Sequence, residues 1–325
     1  MNKVYTLYII YSIIFLLLLY IIYYYYARRR LIPVTFSIPE EKLVRKIPEK
    51  TKLISDLIPG KKETYIYNTE EAYKNEYKKS IFALTIRKAG WDCLRHYEII
   101  ANGCIPYFPG IEECPKNTMA LYPKHLQYEA NSLYRRLKDT SIETLSDNDK
   151  QECYNLANKF LTYTQNTLTT GKMAEYILEK SGHGNATSCL FLSGETTGDY
   201  LRCLTLNGFK TVLGSKCHDY PKIEHIYKSN TIDFKKLYGK GYTYTNLLDQ
   251  ELHDSKLDDG IEDQIRAKQY DIIIYGSYHR GMPHYNLVTQ YYNPEEIILL
   301  CGEDEHECDN KVFLDKGHWV FMREM

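Results

Sequence analysis

The segment AGWDCLRHYEIIANGCIPYF, residues 89–108, carries the most structural information in the chain. Gly90 opens a loop into a helix expected over 92–102, Gly103 follows as its C-cap, and Cys104 to Phe108 reads as a buried strand. Upstream, Thr64–Tyr67 reads as a short strand, Glu70–Lys79 as a polar helix and Ser80–Ile86 as a strand. Downstream, Ser146 and Asp149 make a capping-box pattern. Cys153, Leu156, Ala157, Phe160 and Leu161 then recur at helical spacing, which marks a packing face. Strands alternating with helices predict an α/β fold with parallel sheets.

The same alternation returns after residue 183. Cys189–Leu192, Asp271–Tyr275 and Ile297–Cys301 read as apolar strands, with a helix over Tyr200–Leu213 after the first. Each strand ends in glycine and polar residues: Ser193, Gly194 and Glu195, then Gly276 and Ser277, then Gly302, Glu303 and Asp304. Open α/β sheets bind ligands beyond the carboxyl ends of their strands, so these groups are expected to border one crevice; a glycine there can equally serve the turn alone. The expected organisation is a first Rossmann-like half over 63–182 and a second over 183–325.

At 325 residues, 44% hydrophobic and 26% charged, the chain can fill one large core or two smaller ones, which excludes disorder. The net charge of −1 gives no general field for nucleic acid, and no extended basic and aromatic stripe supplies a local one. Thirty-two tyrosines beside many Ile, Lys and Asn reflect AT-rich codon usage, so single tyrosines carry little weight.

Val4 to Ala27 contains no charged residue, and at about 1.5 Å per residue it reaches roughly 36 Å, enough for a bilayer core of about 30 Å. It is expected to be a single-pass membrane anchor over residues 1–27, with Tyr23–Tyr26 and Arg28–Arg30 as its interfacial collar. A cleaved signal peptide competes, but the apolar run is long and no small-x-small site precedes the arginines. Arg28, Arg29, Arg30, Lys42, Arg45 and Lys46 follow the span and only Lys3 precedes it, which places the C-terminal region in the cytoplasm. Nine cysteines without CxxC spacing fit free thiols, in agreement; a sequon at Asn185 is the counter-signal for a lumenal domain. Pro33, Pro39, Pro48, Pro59 and Gly60 mark residues 28–62 as a stalk.

Within 89–108, a helix N-terminus after Gly90 can meet anionic oxygens, Arg95 can neutralise phosphate and Glu98 can accept two sugar hydroxyls. The competing reading is an exposed i, i+3 salt bridge between Arg95 and Glu98. Here the sequence resembles the exostosin-like branch of the GT-B glycosyltransferases, in which an Arg and a Glu on one helix precede an Ala-x-Gly-x-Pro turn; Arg95, Glu98, Ala101, Gly103 and Pro106 match. Further segments, among them YDIIIYGSYHRGMP and EIILLCGEDEHECD, look like glycosyltransferase-like proteins of giant DNA viruses and some bacteria. The resemblance covers nearly the whole region after the stalk, with the donor-type half first, as if a GT-B chain were permuted.

The resemblance implies a nucleotide-sugar donor, held by Arg95 with Lys88 or Lys116 at the diphosphate and by Glu98 at the ribose, with no metal or other cofactor. The Glu that such enzymes carry eight residues before Glu98 is Gly90 here, and Asp92 is the candidate to contact the transferred sugar in its place. His279 or Asp304 would activate an acceptor, which is a glycan, lipid or protein, and Arg280 and Glu303 would stand nearby. A metal site at Cys301, Glu303, His306, Cys308, Asp309 and His318 competes without diagnostic spacing. No GxxxxGK[ST], GxGxxG or GxSxG sequence occurs, which argues against P-loop NTPases, dinucleotide dehydrogenases and α/β-hydrolases. The alternative function is a catalytically inactive, membrane-tethered binding or assembly module.

Overall fold

The computed structural model describes residue 5 and residues 8–18, 30–304 and 308–325. Residue 5 and residues 8–18 are helical with exposed side chains, and the rest of the expected anchor lies outside the described residues. Among the described residues no helix is long and apolar enough to cross a membrane.

In chain order the elements are β1 (Leu31–Pro33), β2 (Lys52–Ile54), α1 (Glu70–Lys79), β3 (Ser80–Leu84), α2 (Leu94–Ala101), β4 (Ile105–Tyr107), α3 (Lys124–Leu137), α4 (Asp147–Thr167) and α5 (Thr170–Lys180). There follow β5 (Cys189–Leu192), α6 (Tyr200–Leu213), β6 (Cys217–Tyr220), α7 (Ile261–Arg266), β7 (Ile272–Tyr275), α8 (Tyr285–Tyr291), β8 (Ile297–Cys301), α9 (Lys311–Asp315) and β9 (Trp319–Met322). They form two wholly parallel sheets, one of order β2-β3-β4 and one of order β1-β9-β8-β7-β5-β6. The mixed α/β architecture follows the alternation in the sequence. In the larger sheet, the run β6-β5-β7-β8-β9 has the doubly wound order that reverses direction between β5 and β7.

The local signals explain the helices. Thr69 caps α1 by accepting from the Ala72 amide, and Ser146 caps α4 by accepting from the Asp149 amide. The buried face of α4 is Cys153, Leu156, Ala157, Phe160, Leu161 and Thr164. Asn102 ends α2, and Gly103 follows at φ +67°. Strands β5, β7 and β8 are buried along their whole length, as expected of parallel strands covered on both faces. A continuous core joins the two sheets, with Phe36, Phe82 and Phe160 in the same cluster as Phe191 and Phe321.

Three expectations are corrected. Residues 31–38 are no stalk: β1 pairs with β9, and Val34, Phe36 and Ile38 are buried. Pro33 ends a strand at the edge of the sheet, where its missing N–H costs no ladder bond. The strand expected at Thr64–Tyr67 is irregular chain after a 3-10 turn at Lys62–Thr64, and the first strand of the small sheet is β2, from within the supposed stalk. The boundary near 182 also moves, because α5 packs on α6, with Thr170 Oγ1 donating to Asn207 Oδ1 at 2.6 Å. The first unit therefore spans about 39–168, and the second combines residues 30–38 with the chain from about 169 onward.

Candidate functional site

The carboxyl ends of both sheets face a cleft of about 740 Å³. The first unit contributes Lys88 after β3 and Asp92, Cys93, Leu94, Arg95 and Glu98 at the start of α2. The second contributes Asp199 and Tyr200 at the start of α6, Arg280 after β7, Gly302, Glu303 and Asp304 after β8, and Arg323 after β9. A third wall, Leu237–Lys240 and Tyr242, comes from the irregular connection between β6 and α7.

Arg95 projects into this cleft among Tyr65, Tyr73 and Tyr77. Its Nε and Nη1 are buried and donate to nothing among the described residues. Burial opposes its charge, while the surrounding tyrosines favour it and hold its pKa above the usual value. Tyr65 lies close enough to interact electrostatically, but its hydroxyl makes no aligned hydrogen bond. The expected competing salt bridge with Glu98 is absent among the described residues, because Glu98 is engaged elsewhere. Glu98 Oε2 accepts from Tyr73 at 2.7 Å and Oε1 from Thr243 at 2.6 Å, and burial raises its pKa despite those two donors. Thr243 sits at φ +76°, a strained region for a β-branched residue, and the bond to Glu98 helps offset that strain. Glu98 thus ties the two units together, leaving each oxygen one lone pair for a ligand.

Asp92 is fixed in the floor of the cleft. Its Oδ2 accepts from the Phe36 amide and its Oδ1 from Tyr97, both at 2.7 Å, and burial lifts its pKa to about 6 against the pull of Arg323. Arg323 is almost wholly buried and stacks 4.6 Å from the Phe36 ring centre. It donates to the Asp92 carbonyl, to Glu324 Oε1, to the Gly302 carbonyl and to Asp304 Oδ1. Glu324 Oε1 also accepts from the Asp92 amide at 2.8 Å, and burial raises its pKa. A Cβ on Gly90 would collide with that same carboxylate oxygen and lie 2.9 Å from Glu324 Cδ. The Glu324 carboxylate, next to the last residue of the chain, therefore packs directly against the backbone at position 90.

The remaining expected residues divide. Lys88 lines the cleft and is exposed, whereas Lys116 is exposed away from it. Arg280 lines it, donating from Nε to Asp199 Oδ2 at 2.7 Å. Burial works against the charge of Asp199, but Arg202 and Arg280 hold its pKa below the usual carboxylate range. His279 does not line the cleft. Its Nε2 lies 2.6 Å from Glu303 Oε1 without an aligned hydrogen bond, and burial lowers its pKa although Glu303 opposes that. Ser193, Gly194 and Ser277 lie at the reversal between β5 and β7 but line no part of the cleft; Ser193 and Ser277 are buried. A Cβ on Gly194 would strike the Arg280 carbonyl, so this glycine serves close packing. Glu303 and Asp304 are the accessible carboxylates, with side chains 34% and 53% exposed. Burial pushes Cys93 up to about 11, leaving no thiolate nucleophile at that position.

Sequence reasoning missed the aromatic walls. Tyr65, Tyr67, Tyr73, Tyr200, Tyr238 and Tyr242 all line the cleft, with Tyr73 and Tyr242 5.6 Å apart between ring centres. It also missed Arg323 and Glu324. Lys62 and Lys240 add positive charge at the rim, Lys240 donating to the Tyr67 carbonyl at 2.6 Å.

Seven cysteines are free and Cys301 is joined to Cys308, which corrects the expectation of nine free thiols. His279, Cys301 and Cys308 have donor atoms within 4.8 Å of one another, but two sulfurs bonded together cannot both bind a metal. His306 lies outside the described residues.

Comparison of the chain with protein-family models, with curated proteins and with solved structures finds no match.

Proposed function

We propose that the cleft binds a nucleotide sugar and that the protein is a glycosyltransferase of GT-B type, tethered to a membrane through residues 4–27 with its folded region on the cytoplasmic side. The observation that carries this reading is the buried Arg95 guanidinium, whose Nε and Nη1 lack partners in a cleft walled by tyrosines. A guanidinium with two buried nitrogens left to donate favours an anion that can accept from both, such as a diphosphate, and tyrosines give flat faces and hydroxyls suited to a base or a sugar. Arg95 and Lys88 would neutralise the diphosphate and the charge that develops on the leaving nucleotide. Glu98 would contact the ribose with its remaining lone pairs, and Asp304 or Glu303 would accept the acceptor's proton in place of the displaced His279. Asp92, in the floor of the cleft, would contact the transferred sugar.

The test is release of nucleoside diphosphate from a panel of nucleotide sugars, with water or simple glycosides as acceptors. Turnover that disappears in Arg95→Ala, in a protein that stays folded, supports the reading. Binding without turnover favours the second reading, a non-catalytic sugar-nucleotide module, for which the engagement of both Glu98 oxygens speaks. Absence of binding to any of the panel removes both.

A further inference from the structure

A second polar cluster lies at the opposite edge of the large sheet. His218 belongs to the edge strand β6, and His253 and Asp258 to the connection that follows it. His218 Nε2 lies 3.1 Å from Asp258 Oδ1, and His253 Nε2 lies 3.1 Å from Asp258 Oδ2. The three donor atoms fall within 4.8 Å of one another, and the imidazole rings stack with centres 5.1 Å apart. Both histidines are buried, with side chains 2% and 1% exposed.

The other nitrogen of His253 is also committed. Nδ1 lies 3.1 Å from Asp219 Oδ1, and Asp219 is itself held by Lys210 at 2.9 Å and by the Tyr227 hydroxyl at 2.6 Å. A carboxylate behind Nδ1 fixes the tautomer whose Nε2 lone pair points away from it, the usual support of a metal-bound histidine. Here Nε2 meets the Asp258 carboxylate at 3.1 Å, a contact satisfied either by a metal ion or by a second ring proton that makes His253 an imidazolium between two carboxylates. Zinc bonds of about 2.0–2.1 Å in tetrahedral geometry set neighbouring ligand atoms roughly 3.3 Å apart; each imidazole lies 3.1 Å from one Asp258 oxygen, and the three donor atoms need to close by no more than about 1.5 Å to reach that spacing.

We propose that His218, His253 and Asp258 bind one divalent transition-metal ion of the zinc class, with water completing its shell. Imidazole and carboxylate donors together suit zinc better than calcium or magnesium, which prefer all-oxygen shells. The ion fastens the connection between β6 and α7 to the sheet edge, and that connection also supplies Leu237–Lys240 and Tyr242 to the cleft wall. The proposal does not depend on what the cleft binds.

The test is metal analysis of the full chain, purified without a polyhistidine tag and dialysed against micromolar zinc, followed by exchange with Co2+. The expected result is about one equivalent per chain, a Co2+ spectrum with d–d bands and no thiolate charge-transfer band, and loss of the metal in Asp258→Asn and His218→Ala. Asp219→Asn should weaken binding by about 10–100-fold. Cys301→Ser with Cys308→Ser should leave the metal in place. A folded wild type that retains no zinc and gives no Co2+ bands overturns the proposal, and His253 is then an imidazolium shared between two carboxylates. Retention in Asp258→Asn, or loss in the cysteine variant, overturns it as well. If His218→Ala does not fold, the wild-type Co2+ spectrum and the partly exposed Asp258→Asn decide.

Discussion

Replacing Arg95 with methionine should make the empty protein more stable while removing its affinity for anions. The guanidinium has two buried nitrogens without partners, and each desolvated donor left unmade costs about 1 kcal/mol or more. Methionine keeps most of the stem's packing among Tyr65, Tyr73 and Tyr77 and carries no donor to satisfy. The expected gain is about 1–3 kcal/mol, which for a chain of this size is a rise of roughly 2–6 °C in melting temperature. Differential scanning fluorimetry without ligand measures it, and a urea melt checks that unfolding stays cooperative. A melting temperature that falls by several degrees would refute the reasoning, since it would mean that the guanidinium is satisfied inside the protein and awaits no ligand.

Other outcomes follow from the same contacts. Gly90→Ala should cost about 1–3 kcal/mol by driving a Cβ into the Glu324 carboxylate, which the Asp92 amide and Arg323 hold in place; adding Glu324→Ala should recover much of the loss in a double-mutant cycle. Glu98→Ala should destabilise by about 2–4 kcal/mol, because it strands the buried Tyr73 and Thr243 hydroxyls, whereas Glu98→Gln should cost less, since its amide can replace both bonds; chemical denaturation distinguishes them. His96 is fully buried between Thr85 and the Trp91 carbonyl, and burial lowers its pKa to about 3. Below pH 6.5 the unfolded chain takes up a proton that the folded chain refuses, so stability is lost as pH falls. The advantage of wild type over His96→Gln should therefore shrink by about 2 kcal/mol between pH 6.5 and pH 5, measured by denaturation at each pH.

What the sequence disclosed, and what it hid, has physical causes. Helix α1 and strands β5, β7 and β8 carry caps or apolar runs, which are local signals, and their limits fall within a residue or two of expectation, as does the start of helix α4 at its Ser146 cap. Strand β1 is three residues long and ends in proline, so it has no period to read, and only its partner β9 at the far end of the chain defines it. The same distance hides Glu324, whose contact with Gly90 and the Asp92 amide forms only when the end of the chain returns to this loop. Arg95 and Glu98 were legible because they share one helix, but Glu98's tie to Thr243 spans 145 residues and leaves no trace in spacing. The tyrosines of the cleft give no signal in a sequence where their abundance has a compositional cause, yet six of them converge on its walls. His279 follows its strand as expected, but the chain turns its ring toward Glu303, a side-chain direction that a single sequence does not encode.

The most direct test of the central claim is thermal stabilisation of the full chain by a panel of nucleotide sugars, with Arg95→Met measured beside the wild type. At least one nucleotide sugar should raise the wild-type melting temperature, and the variant, although more stable when empty, should show no such rise. Equal stabilisation of both proteins, or none of the folded wild type by any member of the panel, would contradict it.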